Sequence, residues 1–203
     1  MTAKITRANR RRVVFSLLGG LAICISYVLV VGRCGFPIRQ LPEGLTFRDG
    51  DIILLGSSTF RGRLLRIWGK GEEWSHVGLA TTLQDGSIGI IHADPDEGVV
   101  RQLLSEYLLS NNVDALALLR TSGYDGHLAV SYAEQAVRSN TPFDHSFCYK
   151  SNDGVYCTEL VLLAWENAGI VLLPEAKYGD RIPPSELLQS SQLTCMWRLH
   201  SEK

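Results

Sequence analysis

The sequence has no surplus of charge to offer a polyanion. Twenty Lys and Arg against 21 Asp and Glu leave a net charge of −1 over 203 residues, and no basic stripe with interleaved aromatics occurs beyond the first dozen residues. Nothing therefore favours nucleic acid as a partner. The spacings of a metal site are missing as well. The five cysteines include no CxxC pair and the five histidines form no ligand-like run, which argues against structural zinc, and no cofactor is expected. Internal repeats and low-complexity segments are absent, which excludes a solenoid. The length suits one domain with a proper core plus an appendage, and is short for two domains.

One long apolar run is present. Lys4, Arg7, Arg10, Arg11 and Arg12 precede an uncharged stretch from Val13 to Gly32, and Arg33 ends it. As a helix it would be roughly 30 Å long, the thickness of a bilayer core. A cleaved signal peptide has a shorter apolar region and a small-x-small site, and neither is evident. Cys24 ends "LAIC", close to a lipid-attachment box, but Ile23 stands where a small residue is needed and the apolar run continues past it. An uncleaved single-pass anchor is expected, with the basic flank in the cytoplasm and the rest facing a periplasm or extracellular space. The expected organisation is a basic N-terminus over 1–12, an anchor over 13–32, a Pro- and Gly-punctuated linker over 33–46 and a domain over 47–203. In such a compartment two cysteines could oxidise, and Cys34 with Cys195 is one such pairing.

Within the domain, "GDIILLG" from Gly50 reads as a buried strand. "FRGRLLRIWGKG" reads as a helix with Leu64, Leu65 and Trp68 on one face. "SHVGLATTL" and "SIGIIHA" flank the turn signal "QDG" and predict a hairpin. A short helix is expected over "RQLLSEYLL" and a strand over "DALALLR". In "GHLAVSYAEQAVRSN", Leu128, Ala129, Tyr132, Ala133, Ala136 and Val137 recur at helical spacing, with Asn140 as a stop before Pro142. A second helix opens at Cys157, buries Leu160, Val161, Ala164, Trp165 and Ala168, and ends at Gly169. "LTCMWRLH" reads as a last strand. Antiparallel strands with helices around them make the fold class α+β.

Cys157 stands where a loop becomes a helix. Unpaired N–H groups and the positive end of the helix dipole favour a thiolate there, whereas a cysteine in an apolar helix is as often simply packed. A nucleophile needs a base. His76 begins a strand, which would fix its direction, and His92 lies on the partner strand of the same hairpin, within cross-strand reach. Asp94 and Asp96, in the turn "DPDEG", compete with His92 to orient the base. His127 is expected on an exposed helix face, His145 in a loop and His200 near the C-terminus.

"GDIILLG", "SHVGLA", "IIHADPDEGVV", "TPFDHSF" and "YCTELVLLA" occur in that order. Together they resemble the permuted papain-like cysteine hydrolases of the NlpC type, specifically the YiiX-like amidases, across most of Asp49 to Gly169. The resemblance implies a circularly permuted papain-like fold with a central antiparallel sheet and the nucleophile at a helix N-terminus. It also implies that Cys157 is the nucleophile and His76 the base. The third position of the family is commonly a glutamate before an alanine; here His92 precedes Ala93, and a neutral histidine can still accept a hydrogen bond. The implied substrates are amides: cell-wall peptides, murein peptides or N-acyl amino acids. Two rival readings remain, lipid acyl transfer of the lecithin retinol acyltransferase type and a catalytically idle binding domain.

Overall fold

Six consecutive residues with no polar alternation form β1 (Ile52–Ser57), and all six are buried. A strand covered on both faces must read this way. The computed structural model describes residues 37–59, 62, 73–151 and 153–201, which fall in one compact unit, Phe36–Glu202. β1 lies near the middle of a six-stranded sheet built from β2 (His76–Thr82), β3 (Ile88–Asp94), β4 (Gly98–Leu103), β5 (Val113–Thr121) and β6 (Leu193–His200), in the order β4-β3-β2-β1-β5-β6. Every neighbouring pair is antiparallel. Among the described residues three α-helices accompany it, α1 (Leu104–Ser110), α2 (His127–Arg138) and α3 (Cys157–Asn167), with a 3-10 turn over Pro184–Gln189. The expected α+β architecture with a central antiparallel sheet is what forms.

The two sheet faces carry different cores. Ile52, Leu54, Val77, Leu79, Ile91 and Ala93 point to the face covered by α2 and α3, where Leu160, Val161, Ala164 and Trp165 meet them. Ile53, Leu55, Ala80, Ile90, Leu116 and Leu118 point to the other, where Tyr107 and Leu108 of α1 pack. That second face also takes Ile38, Leu41 and Phe47. Ile38 donates its N–H to the Val113 carbonyl at 2.6 Å, Arg120 Nη2 donates to the Thr46 carbonyl at 3.2 Å, and Phe47 meets Trp197 edge-on. The part of the expected linker from residue 37 onward is thus laid on the sheet, because its apolar residues cover sheet surface that would otherwise face water.

Two further expectations change. The residues Arg101 to Leu103, assigned to a helix, belong to β4, and α1 starts only at Leu104. Asp94 Oδ1 accepts the N–H groups of Asp96 and Glu97, and Gly98 follows with φ 80°. This turn sends the chain back along β3, where ladder bonds outweigh the helix preference of "RQLL". Leu128, placed on the buried face of α2, is 56% exposed; Ala129, Val130 and Ala133 are the buried residues there. The helix predicted over "FRGRLLRIWGKG", apart from Gly62, the anchor over 13–32, Cys24 and Cys34 lie outside the described residues. Among the described residues no helix is long and apolar enough to cross a membrane, and Cys148, Cys157 and Cys195 are free thiols.

Candidate active site

Pairing of β2 with β3 runs from Thr82 opposite Ile88 to Leu79 opposite Ile91 and goes no further, while β3 stays paired with β4 as far as Asp94 opposite Gly98. β2 therefore leaves β3 at Gly78, Val77 and His76. A side chain on Gly78 would sit 2.7 Å from Ile90 Cγ2 and 3.1 Å from His92 Cβ. Glycine leaves that space to the His92 ring. The two histidines, expected as cross-strand neighbours, meet on the diagonal across Gly78, a reach that rings can span. His76 Nε2 and His92 Nδ1 are 3.0 Å apart, with the rings nearly perpendicular.

Helix α3 begins at Cys157, which packs in one core cluster with Val77, the residue after His76. The loop before it is held by the buried carboxylate of Asp144, whose Oδ1 accepts the Ser146 N–H at 2.7 Å and whose Oδ2 accepts the Cys148 N–H at 2.9 Å. At Gly154, φ is +135° and a Cβ would stand 2.4 Å from the Pro142 carbonyl oxygen, so this position requires glycine. The Tyr156 hydroxyl accepts the Ile182 N–H at 3.2 Å and anchors the helix start. No side chain caps α3. The Thr158 side chain first, then the backbone N–H groups of Val77, Thr158 and Cys157, favour the thiolate at the Cys157 sulfur. The sulfur is thereby placed against the start of β2.

Burial dominates the electrostatics. It pushes the Cys157 thiol up to about 11, against the pull of those N–H donors. Burial, then the neighbouring His92, holds His76 well below 6.5. Burial likewise lowers His92, with Gln102 and Asp94 opposing. At the Cys157 sulfur burial thus opposes the helix-end donors that favour a thiolate, and at both imidazoles it disfavours the charged form.

Two residues missed at the sequence level complete the cluster. Gln102 Oε1 lies 3.2 Å from His92 Nε2. Its position became visible only once β4 was recognised, and the turn followed by Gly98, Val99 and Val100 was the available signal. Tyr107 packs its ring 4.8 Å from the His92 ring and 6.0 Å from that of His76. Its buried hydroxyl has no hydrogen-bond partner among the described residues. Asp94, the rival orienting group, spends Oδ1 on the turn. His127 and His145 are exposed, and His200 pairs with Glu73 at 2.8 Å. Among the described residues no group of three or more His, Cys, Asp or Glu side chains could hold a metal ion.

Glu159, two residues beyond Cys157, is 0% exposed. One oxygen accepts the Lys150 N–H at 2.6 Å, and the other has no partner among the described residues. Burial raises its carboxyl to about 7.

The crystal structure of the metalloprotein YiiX from Escherichia coli is similar, with a TM-score of 0.63 and 17% identity, over 75% of this chain and 98% of that one. At that identity the likeness speaks for the fold. No curated protein matches the chain. The sequence profile described as permuted papain-like amidase enzyme, YaeF/YiiX, matches residues 46–187, which covers both histidines, Gln102 and Cys157, and the chain accordingly belongs to the permuted papain-like amidase family of YaeF and YiiX.

Proposed function

We propose that the chain is a cysteine amidase in which Cys157 is the nucleophile, His76 the general base and His92 the residue that positions the base. The observation carrying this reading is the 3.0 Å contact between His76 Nε2 and His92 Nδ1, with Val77, the next residue along β2, packed in the same core cluster as Cys157. That contact occupies one nitrogen of His76 and leaves Nδ1 as the proton acceptor. As the thiol attacks the amide carbonyl, its proton passes to His76 Nδ1, and the C–N bond then breaks as that proton moves to the departing amine. Water, deprotonated by the same nitrogen, attacks the thioester and frees the acid and the thiol. The N–H of Cys157 at the uncapped helix start is one donor to the developing oxyanion. Because the thiol is not ionised at rest, proton transfer accompanies the attack.

The substrates of this reading are cell-wall peptides or N-acyl amino acids. Val13 to Gly32 would tether the domain on the outer side of a membrane, a location suited to murein peptides. The direct test is mass spectrometry of the full chain incubated with murein peptides and with N-acyl amino acids. An acyl adduct mapped to Cys157, lost in Cys157→Ala, is expected. Hydrolysis that survives Cys157→Ala would refute the assignment. The tether is checked separately by fusing a reporter after Lys203: it is expected to be accessible only from outside, on a chain of full mass. A shortened soluble product would mean a cleaved signal.

A further inference from the structure

We propose that Gln102 is a positioning residue that sets the proton order of the whole cluster, through a relay running Gln102 to His92 to His76. It rests on the amidase reading for its consequence in turnover, and on geometry alone for the proton order. An amide oxygen can only accept. With Gln102 Oε1 3.2 Å from His92 Nε2, that nitrogen must carry the hydrogen. A neutral imidazole has one N–H, so Nδ1 of His92 is bare and accepts. The nitrogen facing it at 3.0 Å, His76 Nε2, must then donate. His76 Nδ1 is left without a proton, the state required of a base. Each link permits one tautomer for the next, and the chain of choices begins at a residue that never meets the sulfur's proton.

The register places Gln102 for this. It stands opposite Ile90 on β4, and His92 is two residues further along β3 on the same face, opposite Val100. Ring and amide thus meet on a diagonal, as the two rings do across Gly78. A carboxylate in the family's usual third position accepts whatever the tautomer of its neighbours, so it needs no further residue to define it. A histidine there is ambiguous, since either nitrogen can carry the proton. Gln102 removes the ambiguity without adding charge, in a cluster where burial penalises charge. The other ionisable groups about His92 are His76 on β2, Tyr107 on α1, Asp94 on its own strand, and Cys157 beyond His76.

The experiment uses the full chain in detergent micelles, ¹⁵N-labelled at histidine, with ring tautomers read by long-range ¹H–¹⁵N correlation at pH 7.5. In the wild type, protons are expected on Nε2 of both His76 and His92. In Gln102→Met, of similar length and shape but unable to accept, His92 is expected to populate both tautomers and the His76 Nδ1 resonance to move with it. Gln102→Glu is expected to raise the His92 titration midpoint by at least about one unit, because an anion favours the imidazolium. His92 would then have two donors, and His76 Nε2 could no longer donate to it. In turnover, Gln102→Met should lower kcat/KM about tenfold at every pH, and Gln102→Glu should move the acid limb to higher pH; a residue that only props up β4 would shift neither limb nor tautomer. Unchanged tautomers in Gln102→Met, or an unchanged His92 midpoint in Gln102→Glu, would overturn the proposal. A wild type without amidase activity but with Gln102-dependent tautomers would refute the function and leave the relay standing.

Discussion

Two buried polar assemblies lie on this sheet, and they are solved in opposite ways. At one end Asp51, 2% exposed, is gripped by Arg120 through Nε at 2.7 Å and Nη2 at 2.6 Å, and it accepts the Arg48 N–H at 2.7 Å. Charge meets charge there, and both carboxylate oxygens are used. At the other end Cys157, His76, His92 and Tyr107 include no formal charge and leave the Tyr107 hydroxyl unpaired among the described residues. The first arrangement stabilises a connection between strands. The second buries groups that can exchange protons without a charged partner. Buried polar groups in proteins are almost always satisfied, so an unsatisfied hydroxyl beside two imidazoles fits the end at which the proposed chemistry would take place.

Substitutions should separate the two ends cleanly. Cys157→Ser and His76→Ala are each expected to lower kcat/KM by at least roughly 10³ with little change in Tm, because nucleophile and base act as a unit. Asp51→Asn should do the reverse. Losing one partner of a mostly buried ion pair costs about 3 kcal/mol, read as a lower denaturation midpoint, with kcat/KM of the folded enzyme unchanged. If Asp51→Asn cripples turnover, the two assemblies are not independent.

The pH profile sharpens the contrast. Burial and His92 hold His76 well below 6.5, so the base stays neutral on mild acidification and the acid limb of kcat/KM should lie below pH 6.5. His92→Glu replaces a neutral neighbour with an anion, favours the His76 imidazolium, and should move that limb to higher pH by about one unit or more. His92→Leu should lower kcat/KM roughly 10²-fold at all pH values, since nothing would orient His76. Alkylation by iodoacetamide is the companion measurement. With the thiol at about 11, only about 10⁻⁴ of it is ionised at neutral pH, so alkylation below pH 7 should be slow and should accelerate steadily above it. Fast alkylation at pH 6 would show a thiolate at rest.

Smaller effects come from two of the unpaired oxygens, those of Glu159 and Tyr107. Glu159, raised to about 7 by burial, binds a proton more tightly folded than unfolded. Its contribution to stability is complete below the unfolded value near 4.5 and is lost as pH rises through about 7. Glu159→Gln, which keeps an acceptor for the Lys150 N–H, should flatten the fall in Tm between pH 5 and pH 8. Tyr107→Phe removes a hydroxyl that has no partner among the described residues, so stability should hold or rise by about 1 kcal/mol. A simultaneous tenfold fall in kcat would show that this hydroxyl is kept for the reaction.

What could be read without coordinates was whatever repeats over a short window. The continuous apolar run of β1, the turn between β2 and β3, the helical spacing of α2 and the cysteine opening α3 are each legible in ten or fifteen consecutive residues. They also sufficed to indicate the family. Leu128 misled because a helical stripe fixes which residues share a face and leaves open how far the helix is rolled against the sheet. "RQLL" misled because its local preference is weak beside the ladder that the preceding turn imposes.

The sequence by itself thus determined five of the six strands, the helices α2 and α3, the turn that carries Cys157 and the pair of histidines worth weighing. Only the tertiary structure decided that Gln102 stands behind His92, that Tyr107 packs against both imidazoles, and that burial pushes the Cys157 thiol up. The reason is physical. A hydrogen bond across a diagonal depends on strand register and on the absence of a side chain at Gly78, and a pKa depends on every group that excludes water from the site, most of which lie far from Cys157 in sequence.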